Sequence, residues 1–216
     1  MNDIILFPYG GNTKEAISII EDINNIEKKW NIIGFIDDNI NLKDIEYNNY
    51  PVLGNKEILQ SITSAKILAV PGSHNNYFNR DNVINSLNIT KDRYAKIIHP
   101  SVNIGTNVII GYNTLIMPGV VITANNIIGN HCIILPNTVI SHDSTIEDYT
   151  MIGSNVSISG SVKVKKQSYI GSGSKLIQNI TIEEKTLIGL GSVVIRSTEK
   201  GDVVAGNPAR LLKKIY

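Results

Sequence analysis

From Ile98 to Val194 an aliphatic residue returns at every sixth position without a slip in phase. The register runs Ile98, Ile104, Ile110, Ile116, Ile122, Ile128, Ile134, Ile140, Ile146, Ile152, Ile158, Val164, Ile170, Leu176, Ile182, Ile188 and Val194. With about one residue in three being Ile, Leu or Val, so long a run has odds of roughly one in 10⁸, and the period belongs to the fold rather than to chance. Four residues after each aliphatic stands a second small or apolar side chain, among them Val102, Val108, Thr114, Val120, Cys132, Thr138, Ser144, Thr150, Val156, Val162, Ser168 and Ser174, with Asn126 as the polar exception. A period of six matches neither a helix nor an alternating strand. It fits short strands joined by tight turns, each hexad turning one large and one small side chain inward. Three hexads close a triangular coil, and coils stack at the strand spacing of about 4.8 Å, so the run predicts a left-handed parallel β-helix of nearly six coils, about 25–30 Å long. Gly105, Gly111, Gly129, Gly153, Gly171 and Gly189 directly follow the large aliphatic, where the corner is expected to need conformational freedom.

The segment before this run follows another pattern. "DIILFPYGG" is a short apolar strand, Thr13 to Lys29 carries Ala16, Ile19, Ile20, Ile23 and Ile26 at helical spacing, and "NIIGFIDD" and "AKILAVPG" are further strands. A helix-like stretch follows around Asp81 to Leu87. Alternating strands and helices indicate a small Rossmann-like α/β domain over residues 1–95, with ligands at the carboxyl ends of its strands, followed by the β-helix domain over 96–216. Those ends are Gly10 to Asn12, Asp37 with Asp38, and Pro71 to Ser73.

Composition narrows the function. The chain has 216 residues, 42% of them hydrophobic, and a formal net charge of +1, which suits a packed soluble protein and gives no basic footprint for nucleic acid or a membrane surface. The start, "MNDIILFPYG", lacks the basic and small-residue features of a signal peptide, and no apolar run reaches the roughly 18 residues of a spanning helix, so a cytoplasmic location is expected. The one cysteine, Cys132, falls in an inward slot and reads as packing.

Gly10 and Gly11 open a helix whose free N–H groups suit a phosphate or ribose, although Pro8 and Thr13 stand where a dinucleotide fingerprint has glycines. Asp37 and Asp38 could accept hydrogen bonds from a base or ribose, or form a solvated turn. Of the histidines, His74, His99 and His131 read as structural or solvated. His142 occupies an outward slot like that of His131, but Asp143 beside it could hold the imidazole in one tautomer and raise its basicity, as a general base requires.

These residues give the chain a resemblance to the bacterial sugar acyltransferases that join a nucleotide-binding α/β domain to a left-handed β-helix of hexapeptide repeats. It is most similar to the N-acetyltransferases of nucleotide-linked 4-amino-4,6-dideoxy sugars. "PYGGNTKEA", "GFIDD", "IIHPSVNIG", "VISHDSTIEDYTMIG" and "VVAGNPARLL" carry the likeness. The resemblance implies acetyl-CoA as co-substrate, no metal, and a homotrimer with active sites between subunits. It implies His142 as general base, Asp143 as its acidic neighbour and Gly160 as the oxyanion donor beside the thioester. Met151, Gly160, Ser172 and Leu190 are implied as acetyl-CoA contacts, and Gly10, Gly11, Asn12, Asp37, Asp38 and Gly72 as the nucleotide-sugar site. Asn12, Leu135 and Met151 depart from the His, Asn and His usual in the family. Three other readings stand beside this one: O-acetylation of a sugar hydroxyl, as on sialic acid; a catalytically inactive nucleotide-sugar-binding protein; and a zinc hydrolyase of the carbonic anhydrase type, for which the β-helix offers only His99, His131 and His142.

Overall fold

The computed structural model describes residues 1–43 and 45–215. The N-terminal part contains β1 (Asn2–Phe7), α1 (Gly11–Ile26), β2 (Trp30–Ile36), β3 (Glu46–Tyr47), β4 (Tyr50–Gly54), β5 (Lys66–Ala69) and α2 (Arg80–Asn85). Its sheet has the order β3-β4-β2-β1-β5, parallel except for the antiparallel pair β3–β4. β1 lies between β2 and β5, and its run Ile4-Ile5-Leu6-Phe7 is buried throughout, as the near-continuous apolar sequence of a covered parallel strand requires. The β3–β4 hairpin was not legible as strand, but its two-residue turn, Asn48 and Asn49 at φ 52° and 65°, is the left-handed pair that such hairpins favour. α1 starts two residues before the expected Thr13 and ends before Lys29. The Asn24 side chain accepts from the N–H groups of Lys29 and Trp30 and turns the chain into β2. Its buried face includes Ile17, while Ile26 at its last position is exposed.

From Ile97 the chain winds through two-residue parallel strands on three faces. The first face stacks Ile97–Ile98, Leu115–Ile116, Ile133–Ile134, Met151–Ile152, Tyr169–Ile170 and Leu187–Ile188. The second holds the strands that begin at Asn103, Val121, Val139, Ser157, Lys175 and Val193, and the third those at Ile109, Ile127, Thr145, Lys163 and Thr181. Every periodic aliphatic from Ile116 to Val194 is at most 2% exposed. Ile104 is 44% exposed, and Ile98 and Ile110 are half-buried, because the first coil has no coil beneath it. Asn126 is fully buried like the small residues of its column, its side chain accepting from Ser144 N–H and donating to the Thr123 carbonyl. A C-terminal hairpin, Asp202–Gly206 with Ala209–Lys214, adds to the first face beside Leu187–Ile188.

The glycines require a correction. Gly105, Gly111, Gly129, Gly153, Gly171 and Gly189 have no left-handed backbone; instead, an added Cβ would lie 2.4–2.8 Å from the nearest atom of the next coil or, at Gly189, of the C-terminal hairpin. They permit close approach. The left-handed residue comes three positions after the aliphatic, at Asn107, Asn113, Asn125, His131, Asn137, Asp143, Tyr149 and Asn155, with φ between 50° and 61°.

The two parts share a core. Ile97, Leu115, Ile133 and Met151 project outward from the first face and are buried against Ile4, Leu6, Ile17 and Tyr77. That face is therefore the wall on which the α/β domain is built.

Candidate functional site

His142 and Asp143 stand at the corner between the second and third faces. Asp143 Oδ2 lies 2.7 Å from His142 Nδ1, and Oδ1 accepts from Asn125 Nδ2 at 3.0 Å. These two bonds, that from His142 first, hold the Asp143 carboxyl below the ordinary carboxylate range. An ionised carboxylate only accepts, so the neutral imidazole carries its proton on Nδ1 and presents Nε2 as a base. The His142 side chain is 64% exposed. One coil further on, Gly160 lies against the imidazole: a Cβ there would sit 2.6 Å from Cε1 and 2.7 Å from Nε2. Among the described residues nothing accepts the Gly160 N–H. The corner thus pairs a solvent-facing base with a free backbone donor, the parts that acyl transfer to an amine or hydroxyl uses.

Ser172 and Leu190 stack at a different corner, between the first and second faces. Gly191 N–H donates to the Ser172 carbonyl, and Ser172 Oγ accepts from Ser154 N–H. Leu190 is 72% exposed, and beside it Gly191 would place a Cβ in open space. The result is an open strip lined largely by main chain. Met151 belongs to neither corner: on the first face, 5% exposed, its Sδ rests beside Gly72. The expected contact of Met151 with an acyl donor is corrected to a packing role, because the α/β domain covers its face.

The residues expected to hold a nucleotide sugar gather along the carboxyl edge of the β1–β5 sheet. Asp37 and Asp38 line a cavity of about 200 Å³ with Ile40, Lys43, Val52 and Asn55. Asp37 accepts from the N–H groups of Tyr9 and Asn39, so it also ties the β1 loop to the end of β2. Asp38 pairs with Lys56 Nζ at 2.9 Å. Gly10, Gly11, Asn12 and Gly72 border a smaller cavity of about 60 Å³. Asn12 Nδ2 donates to the carbonyls of Val70 (3.0 Å) and Gly72 (3.4 Å), clasping the glycine loop to the segment after β5. Thr13 replaces a fingerprint glycine with a local function: its Oγ1 accepts from Gly10 N–H and donates to the Pro8 carbonyl.

Sequence reading missed the joint that carries this edge. Arg80 is 1% exposed; Nε donates to the Pro71 carbonyl and Nη1 to the Tyr149 carbonyl, both at 2.6 Å, while among the described residues Nη2 has no partner. Burial lowers its pKa to about 10. A lone arginine in a polar stretch gave no signal of this. His131 is buried, not solvated: it stacks on Tyr149 at 4.6 Å and bonds to Asn113, whose side chain pairs with both backbone groups of Ala69. Burial pushes Cys132 up to about 12, so the thiol is inert packing. His99 bonds to Asp22 on α1, His131 faces the α/β domain and His142 stands at another corner, so the three do not converge within one chain. Among the described residues no group of His, Cys, Asp and Glu could hold a metal ion.

Residues 94–204 match the family model described as the GMPPB C-terminal domain, and residues 3–87 match that of the PglD N-terminal domain. No curated protein sequence is significantly similar to the chain. Among solved structures, PerB from Caulobacter crescentus, in complex with CoA and GDP-perosamine, is 22% identical with a TM-score of 0.83, over 99% of this chain and 98% of that one. The acetyltransferase domain of PglB from Neisseria gonorrhoeae, in complex with acetyl coenzyme A, is 22% identical with a TM-score of 0.82, over 98% and 100%. WeeI from Acinetobacter baumannii is 24% identical with a TM-score of 0.82, over 98% and 100%.

Proposed function

We propose that this chain, which belongs to the GMPPB C-terminal domain family through residues 94–204 and carries a PglD N-terminal domain over residues 3–87, is an acetyl-CoA-dependent N-acetyltransferase. Its acceptor is the 4-amino group of a nucleotide-linked 4-amino-4,6-dideoxy sugar, made for a surface glycan or glycoprotein. The observation that carries the reading is the corner at which His142, held by Asp143, lies over Gly160 and its free N–H.

His142 Nε2 takes the proton from the amine as its nitrogen attacks the thioester carbonyl, and Gly160 N–H donates to the oxyanion that forms. Collapse of the tetrahedral species breaks the C–S bond, and the imidazolium returns its proton to the departing thiolate. The amide and the free thiol are the products. No covalent enzyme intermediate is required: among the described residues the imidazole of His142 bonds to Asp143, and no hydroxyl or thiol is hydrogen-bonded to it as the nucleophile of a Ser or Cys enzyme is to its base. Ser172 and Leu190 receive the acyl donor through the main-chain strip at their corner, and Gly10, Gly11, Asn12, Asp37, Asp38 and Gly72 hold the nucleotide.

The base and the donor strip lie at different corners of one chain, so the reading includes a homotrimer in which one copy's His142 corner faces a neighbour's Ser172 and Leu190. Exposed Ile109, Ile127 and Val139 on the two faces beside the His142 corner support this, as apolar surface that a neighbour would cover. No helix among the described residues is long and apolar enough to cross a membrane. The soluble acyl donor makes the cytoplasm the location that goes with this chemistry.

The test is thiol release from acetyl-CoA with a panel of UDP-, dTDP- and GDP-linked sugars bearing either a 4-amino group or only hydroxyls. Turnover with an amino sugar is expected. Release with hydroxyl acceptors alone would replace the reading by O-acetylation, and release with none by a binding role.

A further inference from the structure

We infer that Asn125, seated by Asn107 and backed by the buried Asn126, is a positioning residue for the His142–Asp143 pair, fixing which nitrogen of the imidazole is the base. The inference rests on the proposed function for its meaning but not for its test.

Asn107, Asn125 and Asp143 occupy the same left-handed corner position in three successive coils, at φ 55°, 58° and 60°. Their side chains form one directional line. Asn107 Nδ2 donates to Asn125 Oδ1 at 3.1 Å, Asn125 Nδ2 donates to Asp143 Oδ1 at 3.0 Å, and Asp143 Oδ2 meets His142 Nδ1 at 2.7 Å. The carboxylate fixes the direction: it accepts only the amide N–H₂ of Asn125, a flipped Asn125 would set oxygen against oxygen, and the Asn125 oxygen is then left to accept from Asn107. With Oδ1 of Asp143 occupied from below, Oδ2 is the oxygen left to His142. An exposed carboxylate on a turn would otherwise rotate freely about χ2.

The backbone under the pair is held from inside. Asn126, the polar exception in a column of small residues, accepts from Ser144 N–H at 2.9 Å, directly after Asp143. Ser144 Oγ in turn donates to the Ser159 carbonyl and accepts from Val162 N–H, which brackets Gly160. The adjacent asparagines therefore serve both elements of the site: Asn125 orients the carboxylate, and Asn126 sets the coil of His142 against that of Gly160.

The experiment is ¹⁵N NMR of imidazole-labelled protein, with His142 assigned by loss of its signals in His142→Asn, combined with steady-state kinetics. In the unaltered chain neutral His142 should be in the Nδ1–H form. Asn125→Leu should give a mixture of both tautomers and lower kcat by about 10- to 100-fold, the usual effect of removing a group that orients a catalytic ligand, with KM for acetyl-CoA unchanged. Asn107→Ala should do the same more weakly. Asn125→Asp keeps the shape but sets a second carboxylate against Asp143, and should shift the pH profile of kcat where Asn125→Leu only lowers it. An Nδ1–H tautomer intact in a folded Asn125→Leu protein overturns the inference. Loss of the tautomer in a chain that shows no acetyl transfer would uphold it and count against the proposed function alone.

Discussion

Gly160 leaves no room for a side chain, because the methyl of an alanine would lie within 2.7 Å of two imidazole atoms of His142. Gly160→Ala should therefore push the ring off its seat without unfolding the coil, lowering kcat by about 10²-fold or more through the misplaced base and the displaced N–H, with a near-normal melting temperature. A variant with full kcat would remove Gly160 from the site. At this scale the sequence was uneven in what it disclosed. His142 was visible because Asp143 stands beside it in an otherwise ordinary outward slot, whereas Asn125 and Asn107 looked like any corner asparagines. Their part arises only when coils stack and residues a full turn apart meet. The corner glycines were misread for the same reason: their constraint comes from the next coil, and the left-handed positions are carried mostly by Asn, with Asp143, His131 and Tyr149 among the others.

Among elements, the first face of the β-helix matters most. Its outward residues Ile97, Leu115, Ile133, Met151, Tyr169 and Leu187 are apolar at every coil, whereas the same positions of the second face include Asn103, Ser157 and Lys175. This longer period was present in the sequence and marks the docking wall of the α/β domain. His131 makes the joint sensitive to pH. Burial, with Arg80 nearby, lowers its pKa from 6.5 to about 4, so the unfolded chain binds a proton in that interval which the folded chain refuses. Its stabilising contribution is complete above pH 6.5 and is lost as pH falls toward 4, by at most about 1.4 kcal/mol per pH unit. The melting temperature should fall between pH 7 and 5, and His131→Gln should flatten that slope; equal slopes would mean that His131 titrates freely in the folded state. Arg80 shows why this joint was not legible. Its two carbonyl partners come from the loop after β5 and from a distant coil, a meeting that no local pattern announces.

For the whole molecule, the hexad rhythm was sufficient to give the prism and the alternation of strands and helices to give the α/β domain, but neither reveals how copies assemble. In the proposed function, the separation of His142 from Ser172 and Leu190 makes the site depend on assembly. Light scattering should give three chains per particle, and Ile109→Lys with Ile127→Lys should yield a folded monomer without turnover; an active monomer would refute the shared site. The most direct test of the central claim is the turnover of His142→Ala on the best nucleotide-linked amino sugar. Loss of the base should lower kcat by about 10²- to 10⁴-fold, with KM for acetyl-CoA little changed and the β-helix folded, because an exposed corner side chain adds little to the core. Near-normal turnover by the folded variant would contradict the account and leave the His142–Asp143 pair as two polar residues on the rim of a regular structure.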